Sequence, residues 1–460
     1  MKFEVINSPG ISHNSYFFAD QGEAFVVDPR RDASIYLKMA QEVCAKIRYI
    51  FETHRNEDYV IGSLELQNLT EAEIVHCAET PFKYGEHRVK DGDTFNVSRF
   101  RIEVLHTPGH TDDSICYPVV DTAQSNRPFM VFSGDTLFVG DVGRTDLPGL
   151  DIWEKMTEKQ FYSLHEKLLP LGDDVLLYPA HGAGSICGHK LSDRDFSTIG
   201  YERQYNEILQ LDKIAFIKYM LSIQLRRPPY FRKMEDYNLN GPPLLQNVPV
   251  PQALTVSEFD KAMKQSDAIV VDTRNPDAFA SSHIPGSLSI WLQGLSFYPG
   301  WTLNYSQKIL LVLERAQDLA LAKPFLWRLG YDNIHGYLCP GIGAWRSQGK
   351  PTSQIGAITA KQLKEKLDKN ELTLVDVRST PECESGFVEN STYIYVGELT
   401  DHLDKIPKNM ALATTCATGF RGSLAASILR RNGFPDVSNV LGGLKAWQTL
   451  GYPLSPECPV

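Results

Sequence analysis

No stretch of the 460-residue sequence stays apolar for the ~20 residues that a membrane-spanning helix needs, so no helical membrane role is expected. Positive charge is also short: 46 Lys and Arg against 56 Asp and Glu leave a net charge of −10. That balance argues against a general nucleic-acid role, which needs a basic footprint, and against docking on anionic lipid. Cysteine is sparse, with eight residues and no C-x-x-C pair, which gives neither a zinc-knuckle pattern nor a disulfide framework. Free thiols in a reducing cytoplasm are the expectation. The stretch Met1–Asn7 turns polar too soon for a signal peptide and reads as a first strand. Apolar content of 42% and charge of 22% are those of a globular protein, and the length suggests about three domains.

What is present begins with alternating strand-like and helix-like segments over residues 1–225. Ala24–Pro29 is a short apolar run closed by a breaker, Ala33–Ala45 has helical spacing, and Phe100–Leu105 alternates as a half-buried strand. Ile47–Phe51 reads as a strand ending at Thr53-His54, Phe129–Phe132 runs into Ser133-Gly134-Asp135, and Leu176–Tyr178 into Pro179-Ala180-His181. His54, His110, Asp135 and His181 thus each follow a strand-like stretch. Such residues can converge at one edge of a layered sheet although far apart in sequence. Residues 226–252 carry Pro228-Pro229, Pro242-Pro243 and Pro249-Val250-Pro251 and read as a linker.

Beyond it lies an internal repeat of about a hundred residues. Ile269–Arg274 recurs as Leu374–Arg378, Leu329-Gly330-Tyr331 as Asn432-Gly433-Phe434, and Gly343-Ala344-Trp345 as Lys445-Ala446-Trp447. This period indicates two copies of one α/β domain, at 253–352 and 353–460.

Thr53-His54-Arg55-Asn56-Glu57-Asp58-Tyr59, Thr107-Pro108-Gly109-His110 and Ser133-Gly134-Asp135-Thr136, in that order, resemble the motifs of the metallo-β-lactamase superfamily. The resemblance implies an αββα sandwich with a metal site over residues 1–225. It also marks a departure: Asn56 and Tyr59 stand where two of the superfamily's histidines belong, and both weaken a two-zinc site. The persulfide dioxygenase subfamily, which the N-terminal domain also resembles, needs neither. The resemblance implies one non-haem Fe(II) held by His54, His110 and Asp135, a two-histidine, one-carboxylate set that leaves open positions. Asp58 and His181 would then orient ligands or hold a second metal, with zinc as the alternative cofactor. Gly143-Arg144-Thr145-Asp146 matches that subfamily's glutathione-holding segment and implies that Arg144 binds a substrate carboxylate.

Thr414-Thr415-Cys416-Ala417-Thr418-Gly419-Phe420-Arg421-Gly422-Ser423 resembles the rhodanese loop C-x-x-G-x-R between a strand and a helix. A loop closing on a helix N-terminus turns backbone N–H groups inward, which favours anions and a thiolate. The resemblance implies that Cys416 carries sulfane sulfur, with Arg421 and Gly419 binding the substrate. Gly422 stands where the family has serine. Ungapped alignment puts Leu313 opposite Cys416, so the first copy is expected to be silent, a spacer or docking surface.

Taken whole, the chain resembles persulfide dioxygenase–rhodanese fusions: a metallo-β-lactamase sandwich, then two rhodanese domains with parallel sheets. The implied activity is oxidation of a low-molecular-weight persulfide, such as glutathione persulfide, by O2 to sulfite and thiol. Sulfur transfer among persulfide, sulfite and thiosulfate would accompany it in a cytoplasmic protein, and homo-oligomer formation is compatible with this. The rivals are a persulfide carrier or sensor with a decayed metal site, and a zinc thioester hydrolase.

Overall fold

The computed structural model describes residues 1–456 and 458. The chain divides into two compact units, the first formed by Met1–Asn247 with Trp327–Gly330 and the second by the remainder.

In the first unit, a six-stranded sheet follows chain order from Lys2–Ser8 to His87–Val89. Its first three strands are antiparallel and the rest parallel. The second sheet runs Ser197–Thr198, Leu176–Pro179, Met130–Gly134, Ile115–Asp121, Phe100–Glu103, Thr94–Val97, with Leu105–His106 also paired to Ile115–Asp121. Alternate residues explain the layers, because successive side chains in a strand face opposite sides. Phe18, Phe25, Phe51, Phe100, Tyr117 and Phe132 meet between the sheets in one aromatic core. Phe17 and Val26 face outward onto Tyr36 and Ala40 of the helix Ser34–Glu42. Val131 and Leu177 face outward onto Leu164, Leu168 and Phe216. The result is the αββα sandwich expected from the resemblance.

The expected linker is partly structured. Between its proline breakers lies a ten-residue helix, Phe231–Asn240, whose buried Phe231, Met234 and Asn238 share one face. Asn238 Nδ2 donates to the carbonyls of Asn56 and Tyr59, both at 2.7 Å, and its Oδ1 accepts from Ile61 N. The segment read as a connection therefore braces the loop after Phe51.

In the second unit the repeat is visible as two five-stranded parallel sheets of the same order. One runs Gln252–Leu254, Ile334–Leu338, Lys308–Val312, Ala268–Asp272, Leu288–Ser289. The other runs Gly356–Thr359, Val437–Leu441, Ala411–Thr415, Leu372–Asp376, Thr392–Tyr393. In each sheet the fourth strand in this order ends in a buried carboxylate–guanidinium fork, Asp272–Arg274 and Asp376–Arg378.

The expectation of free thiols holds for six cysteines. Cys383 and Cys458 instead form a disulfide, with Cα atoms 5.6 Å apart and a sequence separation of 75. Backbone pairing of Phe387 with Ser455 carries the chain end back to the helix Thr380–Glu384, a tertiary return that cysteine spacing does not reveal. No helix among the described residues is long and apolar enough to cross a membrane.

Candidate metal centre and sulfur-transfer loop

The strand Lys46–Phe51 delivers His54, and the strand Met130–Gly134 delivers Asp135. His110 and His181 come from loops beside them. All four are buried. His54 Nε2 lies 3.8 Å and His110 Nε2 3.3 Å from Asp135 Oδ2, so the three residues expected to hold a metal do converge. His110 Nδ1 donates to the carbonyl of Arg144 at 2.7 Å, which leaves Nε2 as its lone-pair nitrogen. His54 Nδ1 lies 3.0 Å from Thr53 Oγ1, a hydroxyl that itself donates to Asp28, so the ring donates there and again leaves Nε2 bare. Two lone pairs thus face a carboxylate oxygen in a dry site, and His110 Nε2 has no hydrogen-bond partner among the described residues. A cation is the group that satisfies this arrangement.

Burial drives His54 down to about 3 and lowers His110, the latter partly offset by Asp135. Burial alone would raise Asp135, but His181, His54 and His110 together hold its carboxyl well below the usual range. His181 is the opposite case. Burial opposes its charge, yet Asp135 at 2.8 Å and Asp58 at 3.0 Å outweigh burial and raise it well above the usual histidine value.

The two substituted positions are part of the same buried cluster. Asn56 Nδ2 donates to the His54 carbonyl, while its Oδ1 has no partner among the described residues. The Tyr59 hydroxyl also lacks one, and its ring lies 4.1 Å from that of His13.

Three groups here were missed by sequence reasoning. Glu57 places a carboxylate oxygen within 4.8 Å of ligand atoms of His54 and His110, and burial pushes it up to about 8. Cys187 is within 4.8 Å of ligand atoms of both Asp58–His181 and His110–Asp135. His13 is fully buried with neither ring nitrogen bonded among the described residues. Glu57 lies within the His54–Tyr59 stretch, where a carboxylate beside a ligand is legible; Cys187 and His13 carry no motif.

The Arg144 guanidinium is engaged within the protein. Its Nε and Nη2 form a fork with Asp146, Nη1 donates to Ile186 O and Arg226 O, and Nη2 also to Leu225 O. All five N–H groups are used, and the side chain is buried. These bonds tie Asp146 to the loops that carry Ile186, Leu225 and Arg226. The adjacent Gly143 is required by contact: a Cβ there would lie 1.9 Å from Asp135 O.

In the second unit, Cys416 follows the strand Ala411–Thr415 and is 1% exposed. Its Sγ accepts from Gly419 N at 3.1 Å, where φ is +99° and the helix Phe420–Arg431 begins. Gly419 therefore acts on the sulfur directly. Arg421 is not a free cation: Nη1 and Nη2 each bond Glu382, both at 2.6 Å. At Gly422 a Cβ would lie 2.4 Å from Asn439 Oδ1. Ser423 turns away to bond Ser289 Oγ at 2.8 Å, so the first repeat supports the helix behind the loop.

Comparison with known proteins agrees with both halves. The metallo-beta-lactamase superfamily matches residues 9–181, and the rhodanese-like domain matches residues 255–348 and 359–450. A hydroxyacylglutathione hydrolase of Hydrogenovibrio crunogenus is 29% identical over 54% of this chain and 88% of its own length. The mitochondrial persulfide dioxygenase ETHE1 of Bos taurus is 29% identical over 45% of this chain and 74% of its own. The crystal structure of a metallo-beta-lactamase from Staphylococcus aureus subsp. aureus COL is 32% identical, with a TM-score of 0.66, and covers 73% of this chain and 98% of that one. The chain belongs to the metallo-beta-lactamase superfamily and carries two rhodanese-like domains after its metallo-beta-lactamase domain.

Proposed function

We propose that the protein oxidises a low-molecular-weight persulfide, such as glutathione persulfide, with O2 to sulfite and thiol, and moves sulfane sulfur through Cys416. The observation that carries this reading is the convergence of His54 Nε2, His110 Nε2 and Asp135 Oδ2 while Asn56 and Tyr59 replace two zinc-site histidines. A single Fe(II) held by those three residues would supply the oxygen chemistry and open positions for substrate. The chain's part is to hold the ligands: the Arg144 carbonyl fixes His110, Thr53 fixes His54, and Asn238 braces the loop between them and the helix that follows. In the other unit, the Cys416 thiolate attacks the outer sulfur of a persulfide or thiosulfate. It becomes a persulfide and releases thiol or sulfite, and Gly419 N–H steadies the sulfur.

Protein purified without oxygen is expected to carry iron and to take up O2 with glutathione persulfide, and His110→Ala to lose both. Zinc as the metal, with thioester hydrolysis and no O2 uptake, would make the chain a hydrolase instead. Absence of any metal would favour a carrier or sensor acting through Cys416.

A further inference from the structure

Asn56 stands where the superfamily has a histidine, and its side chain folds back to donate to the His54 carbonyl at 3.2 Å. The next residue turns toward the ligands instead. A carboxylate oxygen of Glu57, a nitrogen of His54 and a nitrogen of His110 lie within 4.8 Å of one another, and all three residues are buried. The proposed iron position takes the two histidines with Asp135 and leaves Glu57 without a task.

The two carboxylate oxygens of Glu57 differ. Oε1 accepts from Arg55 Nη2 at 3.3 Å, whereas Oε2 is buried with no hydrogen-bond partner among the described residues. The Arg55 side chain is 29% exposed and that of Glu57 only 1%, so this is not a surface bridge in which water serves both charges. A buried carboxylate oxygen left unserved is costly unless a cation meets it. His110 Nε2 is unserved in the same way. The backbone on both sides of Glu57 is pinned. Asn238 Nδ2 donates at 2.7 Å to the carbonyls of Asn56 and Tyr59, and Asp113 Oδ2 accepts from Arg55 N at 2.9 Å. A braced loop thus aims the side chain.

We propose that Glu57 is a fourth protein ligand of the ion held by His54, His110 and Asp135, a carboxylate in the stead of the histidine missing at Asn56. This assignment rests on the metal position proposed above and adds a residue to it. Two imidazoles and two carboxylates make a harder donor set than one built on histidines alone, and two carboxylates balance the charge of a divalent ion. Four protein donors leave two positions of an octahedral ion for substrate and O2.

Co2+ tests it on the full-length protein, freed of metal and titrated without oxygen. Glu57→Gln keeps the shape and removes the charge. It should weaken Co2+ binding about tenfold or more and shift the visible absorption of the bound ion, because a donor is lost. Glu57→Asp keeps the charge but withdraws it by one methylene. It should show the same two changes, and it covers the case in which Glu57→Gln does not fold. Arg55→Gln takes away the other partner of the carboxylate and should leave the absorption as in the parent. Parent-like affinity in the Glu57 variants, or weaker binding with an unshifted absorption, would overturn the assignment and make Glu57 a brace. A shift in Arg55→Gln equal to that in Glu57→Gln would also overturn it, by making the ion pair the cause. Each of these outcomes leaves the three-residue position standing. Parent protein that binds no Co2+ would overturn the assignment together with that position.

Discussion

In the first rhodanese-like repeat the strand Lys308–Val312 ends at Leu313, and the chain turns into a short 3-10 segment, Ala316–Asp318, closed by Arg315 bonding Asp318. In the second, the strand Ala411–Thr415 ends at Cys416, and the chain wraps the sulfur with Gly419 N–H before entering a twelve-residue helix. Strand order, parallel pairing and the buried Asp–Arg fork are the same in both. The repeats therefore share a scaffold and differ in the few residues after the middle strand, where only the second copy has a cysteine. Even the neighbouring glycine tracks the difference. A Cβ on Gly443 would lie 2.2 Å from Cys416 O, whereas on Gly341 the nearest atom is Leu313 O at 3.9 Å. The first repeat also supports the second: Ser289 N donates to Ser427 Oγ at 3.0 Å, and Ser289 Oγ pairs with Ser423 Oγ at 2.8 Å.

The sharpest break of this comparison is Cys416→Ser. It should reduce thiosulfate-to-thiol sulfur transfer to background, because the hydroxyl stays protonated, while O2 uptake with supplied persulfide persists. Leu313→Ala should leave transfer intact, and transfer that falls in this variant would show that the first copy takes part.

The shared scaffold is tested by Asp272→Asn and Asp376→Asn. Each leaves a buried guanidinium without its counter-charge, and each should cost about 3–5 kcal/mol in denaturant unfolding. Equal losses support a structural role for both forks. A loss confined to Asp376→Asn would tie that fork to the active loop.

Gly443→Ala should cost about 1–3 kcal/mol by overpacking against Cys416 O and should slow transfer. Gly341→Ala meets no such contact and should lose only about 1 kcal/mol, from its left-handed backbone at φ +121°.

The smallest effect is electrostatic. Burial would raise Glu382, but the Arg421 bond outweighs it and brings the carboxyl down to about 2 from an ordinary 4.5. A depressed carboxylate contributes stability that is fully present above its unfolded value and is lost as the pH falls through its folded value. Thermal unfolding should therefore fall between about pH 4.5 and pH 2 more steeply in the parent than in Glu382→Gln.

Much of this was legible in the sequence. Strand ends carrying His54 and Asp135, the Thr-Pro-Gly-His loop and the two-copy repeat all rest on local periodicity or on motifs with strict order. What was hidden depends on side chains meeting across the fold. Prolines on either side masked the helix Phe231–Asn240, whose Asn238 braces the metal-site loop. The bonds from Arg144 to Ile186, Leu225 and Arg226 join loops that local sequence does not connect. The pairing of Arg421 with Glu382 likewise joins residues 39 apart. Cys187 lies in a loop with no motif, and only the return of that loop brings it beside His181.

The central claim, one working sulfur-transfer loop in a duplicated scaffold, is tested most directly by peptide mass spectrometry after thiosulfate treatment of the full-length protein. One added sulfur atom is expected, on the peptide containing Cys416. Sulfur found on Cys339 of the first copy instead, or an unmodified Cys416 in protein that still transfers sulfur, would contradict it.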